Sequence, residues 1–118
     1  MEIRLYRYRA TVRSVYDGDT CTVDIDLGLG IWIHGEKLRL YRINAPEVRG
    51  PEREAGLRSR DFLRGQIDGK EIYIQTIKDR KGKYGRYLAE MWLEGEDGAA
   101  INVNDLMVAQ GQAVYKDY

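Results

Sequence analysis

The sequence predicts a β-rich α+β fold, in which an antiparallel barrel of about five strands carries two short helices. Apolar and polar residues alternate strictly over residues 21–27, as in a strand with one buried face. Strand-like runs come first along the chain, and short helical patterns fill the later gaps. The 118 residues, 43% of them hydrophobic, suffice for one core, so we expect a single domain over residues 1–118.

Tight turns divide the first half of the chain into strands. Residues 7–15 favour an extended conformation, and Asp17-Gly18 gives a strong hairpin signal before the alternating run. After a glycine-rich interruption, residues 34–37 are predicted to turn the chain again, and residues 38–43 form the next predicted strand. Residues 20–43 are therefore predicted to be a three-stranded meander.

A helix is predicted to follow this meander. Ala45-Pro46 ends the strand because proline lacks the backbone N–H that a central strand donates. Gly50-Pro51 places proline at a first helical position, and the apolar spacing continues to Gln66. Residues 71–77 then form the next predicted strand.

The last third of the chain adds one long strand and a second helix. A charged, glycine-containing loop is predicted over residues 78–85, and residues 87–93 are predicted to be extended. Asn102 or Asn104 is suited to cap a short helix, which ends before Gly111. These elements complete the five strands and two helices.

Composition narrows the possible chemistry. The 19 basic and 19 acidic residues cancel, which predicts weak non-specific affinity for nucleic acid. No run approaches the roughly 18 apolar residues of a membrane helix, and we expect a cytoplasmic protein, or a secreted one if a leader was removed. One cysteine and one histidine do not make a zinc site, so a bound metal would be a hard cation held by oxygen atoms, such as calcium or magnesium. Cys21 is predicted to be buried and His34 to be exposed without a carboxylate partner.

Three polar clusters, separated by strands, carry the residue types that phosphodiester hydrolysis needs. They are Asp17-Gly18-Asp19-Thr20, Asn44-Ala45-Pro46-Glu47 and Tyr84-Gly85-Arg86. The reaction requires a cation at the phosphoryl oxygens, a base for water and positive donors for the transition state. Asp19 and Asn44 offer oxygen ligands, Glu47 is a candidate general base, and Arg39 and Arg86 offer forks for phosphate.

The first two clusters, each taken alone, also have an interpretation that involves no catalysis. Asp-Gly-Asp-Thr is also an ordinary turn, because Asp and Gly dominate turns for conformational reasons. Pro46-Glu47 is also consistent with a solvated strand exit. Arg39 is less easily explained, because strand alternation places it on the face opposite Leu38 and Leu40.

The order and spacing of the clusters resemble the staphylococcal nuclease family. The resemblance is carried by Asp17-Gly18-Asp19-Thr20, by the run LRLYRINAPE at residues 38–47, by Tyr84-Gly85-Arg86-Tyr87-Leu88-Ala89, and by Asn102, Leu106, Gly111 and Ala113. It implies a five-stranded barrel of the oligonucleotide-binding (OB-fold) type. It also implies calcium-dependent hydrolysis of DNA or RNA that leaves 3′-phosphates, with magnesium or another divalent cation as alternatives.

The resemblance implies a role for each matched residue. Asp19 corresponds to a metal-binding aspartate, with Asn44 and the backbone carbonyl of Ala45 as the other ligands and Asp17 as an acid behind the metal. Arg39 and Arg86 correspond to phosphate-binding arginines, and Glu47 corresponds to the carboxylate proposed as general base. Tyr84 and Lys83 are the expected substrate contacts. We expect the partner to be a nucleic acid and the protein to be a monomer.

Two departures from the family pattern leave an alternative open. Asn44 stands where the family has a second metal-binding aspartate, and the loss of a negative charge predicts weaker calcium binding. The family's third helix is also expected to be missing. The alternative is a catalytically inactive module that uses the barrel to bind nucleic acid or a protein partner.

Overall fold

Five long strands and two α-helices make up most of the molecule. The computed structural model describes residues 3–81 and 85–117. The strands are β1 (Arg7–Asp17), β2 (Thr20–Gly28), β3 (Ile31–Leu40), β4 (Ile43–Asn44), β5 (Glu71–Lys81), β6 (Tyr87–Glu94), β7 (Ala100–Asn102) and β8 (Val114–Tyr115). The helices are α1 (Arg53–Ile67), which follows a 3₁₀ turn at Gly50–Glu52, and α2 (Val103–Ala109).

The five long strands close into a barrel. Strands are hydrogen-bonded in the order β3-β2-β1-β5-β6, and β3 also pairs with β6. The closing pair is parallel and short, with Leu38 opposite Tyr87 and Leu40 opposite Ala89, whereas the other pairs in the barrel are antiparallel. β7 extends the sheet beyond β6, and β4 pairs with β8 separately. The predicted five-stranded barrel of OB-fold type is therefore confirmed.

The barrel interior holds a continuous apolar core. Its strands contribute buried side chains that include Val12, Val23, Leu38, Ile74 and Met91. Both helices add to it, with Leu63 and Ile67 from α1 and Val103 and Met107 from α2. Burying each such side chain stabilises the fold by about 1.5–3 kcal/mol relative to leaving it exposed. Cys21 belongs to this core, as predicted, and burial raises the pKa of its thiol to about 12.

Side-chain hydrogen bonds decide between the two candidate helix caps. Asn102 is the N-cap of α2, because its side chain accepts from the Asp105 backbone N–H at 2.8 Å. Asn104 is instead fully buried, donating to the carbonyls of Tyr41 and Ala89 and accepting from the Met91 N–H. It therefore joins α2 to the barrel.

Three details of the predicted elements are wrong. Residues 34–37 do not turn the chain: β3 continues through them with an irregularity opposite β2, and Gly35 has φ +72°. β3 ends at Leu40 rather than at residue 43, because Arg42 adopts φ +69° and β4 starts separately. The predicted loop over residues 78–85 is shorter, since β5 extends to Lys81.

The expectation for His34 is half right. Its side chain is exposed, but its Nδ1 lies 3.3 Å from Oδ2 of the buried Asp24. Asp24 also accepts from the Gly35 N–H at 2.9 Å and pairs with Arg13. These donors hold the pKa of the Asp24 carboxyl below its usual range, the Gly35 bond first among them.

Candidate functional site

The turn between β1 and β2 brings the predicted acids to the third strand. Asp17 ends β1, Asp19 lies in the turn, and Thr20 starts β2 opposite Arg39 of β3. The Asp19 carbonyl accepts from the Leu40 N–H at 2.8 Å, which ties the turn to the end of β3. Two clusters that are far apart in sequence therefore meet at one edge of the barrel.

Asp19 connects the parts of this site. It is 5% exposed, and its Oδ2 lies 3.1 Å from Nη1 of Arg39 and 2.8 Å from the Ala45 N–H, which donates to it. Its Oδ1 accepts from the Thr20 hydroxyl at 3.2 Å. The carboxylate thus has charge-assisted partners in β2, in β3 and in the segment after β4.

Arg39 is held by the same segment. Its side chain is buried, and Nη1 donates to the carbonyls of Leu40 at 3.3 Å and Ile43 at 3.2 Å. Nη2 donates to Oδ1 of Asn44 at 3.1 Å. These contacts fix the plane and the position of the guanidinium.

Arg86 reaches the site from the other side of the barrel closure. It immediately precedes β6, and its Nη1 donates to the Thr20 hydroxyl at 3.0 Å. Thr20 is also the strand partner of Arg39, so both arginines adjoin Thr20. No role was predicted for Thr20, although it directly follows Asp19. In the structure its hydroxyl links Arg86 to Asp19.

Asp17 and Asp19 are two carboxylates held close together. Asp17 is 8% exposed and its Oδ1 accepts from the Asp19 backbone N–H at 3.0 Å. Burial, together with the neighbouring negative charge of Asp19, raises the pKa of Asp17 to about 7. A further positive charge beside this pair, in addition to Arg39, would favour the ionised form of Asp17.

Glu47 differs from the other described residues of the predicted site because its exposed side chain makes no hydrogen bond or ion pair with the rest of the described chain. Asn44 is exposed as well, but its Oδ1 accepts from Nη2 of Arg39. Its backbone, however, is packed against α1: a Cβ added at Gly56 would lie 2.0 Å from the Glu47 carbonyl oxygen. Gly56 therefore sets the position of Glu47, a role that the helix pattern in the sequence did not indicate.

The turn itself also depends on close packing. A Cβ at Gly18 would lie 1.8 Å from Oγ of Ser59 and 2.8 Å from Cβ of Ala45. Ser59, buried on α1, donates to the Gln112 carbonyl at 2.8 Å. α1 thus supports both the turn that carries Asp19 and the segment that carries Ala45 and Glu47.

The donor set fits a hard cation better than a soft one. The side-chain atoms that Asp17, Asp19 and Asn44 could offer to a metal are carboxylate and amide oxygens, which hard cations prefer. Within residues 3–81 and 85–117, no three side chains of the His, Cys, Asp and Glu types converge as a metal group would. The crowded pair of aspartates is the feature of this site that a cation would stabilise.

Two of the predicted residues cannot be placed. Lys83 and Tyr84 lie outside the described residues. Of the others, the structure joins Asp17, Asp19, Arg39, Asn44, Ala45 and Arg86 through hydrogen bonds, directly or through Thr20. Glu47 adjoins this set in sequence but makes no side-chain contact with it.

Comparison with known proteins identifies the family. The model of the staphylococcal nuclease homologue family matches residues 37–118, which include Arg39, Glu47 and Arg86. The chain belongs to this family. This staphylococcal nuclease homologue is 30% identical over 88 residues to a thermonuclease of Staphylococcus intermedius. The aligned region covers 72% of the chain and 49% of the relative.

Other relatives of this staphylococcal nuclease homologue include one of unknown function. A thermonuclease of Staphylococcus hyicus is 29% identical over 110 residues, covering 91% of the chain and 59% of the relative. An uncharacterised protein of Methanocaldococcus jannaschii is 26% identical over 127 residues, covering 90% of the chain and 58% of the relative. The chain thus spans about half to three-fifths of the length of these relatives.

None of the helices in the described part is long and apolar enough to cross a bilayer.

Proposed function

We propose that this protein is a metal-dependent nuclease that hydrolyses phosphodiester bonds in DNA, RNA or both and leaves 3′-phosphates. The observation that carries the proposal is the connected set formed by Asp19, Thr20, Arg39 and Arg86 beside the segment of Asn44 and Ala45. Two relatives that carry the name thermonuclease support it.

In this proposal Asp19, Asn44 and the Ala45 carbonyl hold a divalent cation, calcium or alternatively magnesium, and Asp17 lies behind them. A cation held there would supply Lewis-acid chemistry, by polarising the phosphoryl oxygens and offsetting charge in the transition state. The segment from Ile43 to Ala45 is fixed for this task, because Arg39 and Asp19 together bind its backbone and the Asn44 side chain. Lys83 and Tyr84 are proposed to contact the nucleotide.

The two arginines bind the phosphate. Arg39 is anchored by Asp19 and by two carbonyls, so little reorganisation is needed when a phosphate oxygen approaches. Arg86 is oriented by the Thr20 hydroxyl, which places its charge on the same side. Their donors stabilise the charge that grows on the equatorial oxygens as water attacks.

Glu47 takes the proton from the attacking water. Because its carboxylate is exposed, it stays accessible to water. A new bond forms between the water oxygen and phosphorus, the bond to the 5′ oxygen breaks, and the leaving 5′ oxygen takes a proton from solvent water. The retained phosphate is the 3′-phosphate end.

Glu47→Gln tests this assignment. Turnover should fall by a factor of about 10²–10⁴, because general-base catalysis is lost, while affinity for a nucleotide bisphosphate in calcium stays within about twofold of the parent. Glu54→Gln is the matched control, since Glu54 is also exposed and lies seven residues further on, in the first turn of α1. Turnover in Glu47→Gln equal to that of Glu54→Gln would remove Glu47 from the mechanism.

A second candidate function is a catalytically inactive module that binds nucleic acid or a protein partner. Asn44 favours it, because the described residues then bring only two carboxylates, Asp17 and Asp19, to the proposed metal site. Such a module would bind without cleaving in any divalent cation. Binding and cleavage are therefore measured on the same preparation.

A further inference from the structure

A second surface combines arginine and aromatic side chains away from the site just described. It is a trough of about 700 Å³ across the outer face of β1, β5 and β6, here called the outer trough. Its floor is formed by Arg7, Arg9, Tyr73 and Trp92, and residues of β2 and β7 form its rims. Arg7, Arg9 and Tyr73 are exposed, and Trp92 is half-buried.

Strand register aligns these four side chains on one face. Arg9 lies opposite Tyr73, and Tyr73 lies opposite Trp92 on the next strand. The guanidinium carbon of Arg7 is 5.2 Å from the centre of the Trp92 ring, and that of Arg9 is 5.9 Å from the Tyr73 ring. Each aromatic ring thus has a cation beside it.

Arg7 is the cation of the outer trough that makes no ion pair in the described part of the chain. Arg9 pairs with Glu71 at 3.1 Å, and Asp26 accepts from the Gly28 backbone N–H at 2.8 Å. Arg7 donates to the neutral Gln75 side chain at 3.3 Å and has no carboxylate at ion-pair distance in the described part of the chain. Arg7, which lies over the Trp92 ring, is therefore the group of the outer trough that can pair with an anionic ligand.

We propose that the outer trough binds an unpaired segment of nucleic acid. Bases stack on Trp92 and Tyr73, and the phosphates between them contact Arg7 and Arg9, since stacking on aromatic rings with nearby cations is how proteins hold single strands. The residues that line the outer trough differ from those that hold Arg39 and Asp19. Arg9 and Asp17 lie eight residues apart on β1, a span of at most about 26 Å that a strand of 16 nucleotides can bridge.

The two tryptophans provide the test. Trp32→Phe leaves Trp92 as the only tryptophan, and Trp92→Phe leaves Trp32, which is 43% exposed on β3. In chelator, so that no cleavage occurs, a 16-residue oligothymidylate is titrated into each variant. We expect saturable quenching of Trp92, weakened by salt, and no saturable change of Trp32.

Arginine variants give the second readout. On the Trp32→Phe background, Arg7→Ala should weaken binding about 5- to 10-fold through the loss of one cation over a ring, whereas Arg58→Ala, an exposed arginine on α1, should not. Equal effects of the two variants, an unresponsive Trp92, or equal responses of both tryptophans would overturn the proposal. An acidic peptide that competes better than the oligonucleotide would overturn it in favour of a protein partner.

One consequence rests on the proposed function. Arg7→Ala should raise KM for a 16-residue substrate several-fold and leave KM for a dinucleotide unchanged, because only the longer strand reaches both surfaces. Binding in chelator without cleavage in any cation would refute the nuclease activity but not binding in the outer trough. Cleavage with unchanged KM in Arg7→Ala and an unresponsive Trp92 would refute binding in the outer trough but not the nuclease activity.

Discussion

Asp19 is the residue on which the geometry of the site depends. It accepts hydrogen bonds from Thr20 and Ala45 and forms an ion pair with the buried Arg39. Removing its carboxylate would break the ion pair of the buried Arg39. In typical proteins, breaking a buried ion pair lowers the free energy of unfolding by about 3–5 kcal/mol. Changes around Asp19 are therefore more informative than its deletion, because they leave this pair in place.

Gly56→Ala should displace Glu47 without touching its carboxylate. The new Cβ would lie 2.0 Å from the Glu47 carbonyl oxygen and 2.8 Å from the Val48 nitrogen, and both are backbone atoms. We expect a loss of roughly 1–3 kcal/mol in unfolding free energy and a fall in kcat larger than any change in nucleotide affinity.

Gly65→Ala is the matched control for this change. It lies on the same helix, and a Cβ there meets nothing within 4 Å. Alanine at an open helical position should stabilise the protein by about 0.5–1 kcal/mol. Chemical denaturation and turnover of both variants check the pair, and equal kcat in the two would show that the Gly56 contact does not position Glu47.

Asn44→Asp should tighten calcium binding. The Asn44 side chain already lies beside the guanidinium of Arg39, 3.1 Å from Nη2, so an aspartate there would keep a partner while adding ligand charge. We expect about a tenfold gain or more in calcium affinity, measured by titration calorimetry, and higher activity at low calcium. Gln110→Glu, an exposed change of the same charge outside the site, is the control. Equal calcium affinity of the two variants would show that Asn44 is not a calcium ligand.

The sequence predicted those site residues that belong to short polar runs at strand ends. Asp17, Asp19 and Asn44 were predicted in this way, and the structure brings them together with Arg39. Gly56 could not be predicted, because its importance comes from a close approach between a helix and a loop. Such packing leaves no mark on composition or periodicity.

Among the elements, the short strand β4 connects the site to the end of the described chain. β4 pairs with β8, and the turn before it contains Arg42 at φ +69°. Arg42 binds Glu90 through two hydrogen bonds of 2.6 and 2.7 Å and Asp105 at 3.1 Å, and its carbonyl accepts from the Lys116 N–H. These contacts fix the segment on which Asn44 and Ala45 lie.

Arg42→Ala should therefore weaken both the fold and the site. We expect a loss of roughly 1–3 kcal/mol in unfolding free energy, since Glu90 loses two hydrogen bonds, together with weaker calcium binding. Arg42→Gly loses the same contacts but adopts a positive φ freely, so it should be the more stable variant by about 1 kcal/mol. If the order of the two variants were reversed, or calcium affinity were unchanged in both, β4 would not position the ligands.

Element boundaries were predictable where local signals agree with tertiary structure. The Asp17-Gly18 turn was correct, whereas Pro51 lies in the 3₁₀ turn before α1, which starts at Arg53. The turn predicted at residues 34–37 was wrong because β2 pairs with β3 on both sides of His34 and Gly35, and Gly35 accommodates the irregularity between the paired stretches. β4, β7 and β8 were missed, since strands of two or three residues carry no measurable periodicity.

At the scale of the whole molecule, barrel closure and the site share the same residues. The parallel pair of β3 and β6 includes Arg39 opposite Leu88, and Arg86 directly precedes β6. Closure therefore brings the two arginines together. The sequence indicated a barrel through its strand count, but this parallel pair joins segments about 50 residues apart and could not be predicted from local pattern.

Net charge is also a property of the whole chain. With 19 basic and 19 acidic residues, long-range attraction to nucleic acid is small, and binding depends on local features such as the arginine pair and the outer trough. We therefore expect a shallow salt dependence of substrate affinity compared with strongly basic nucleases.

We propose that this chain cleaves nucleic acid with a divalent cation at Asp19. To test this, the purified protein is incubated with plasmid, single-stranded DNA and RNA in calcium, in magnesium and in chelator. We expect cleavage with at least one cation, 3′-phosphate ends, no cleavage in chelator, and loss of cleavage in Glu47→Gln. Intact substrates under every cation, or equal cleavage in chelator, would contradict it.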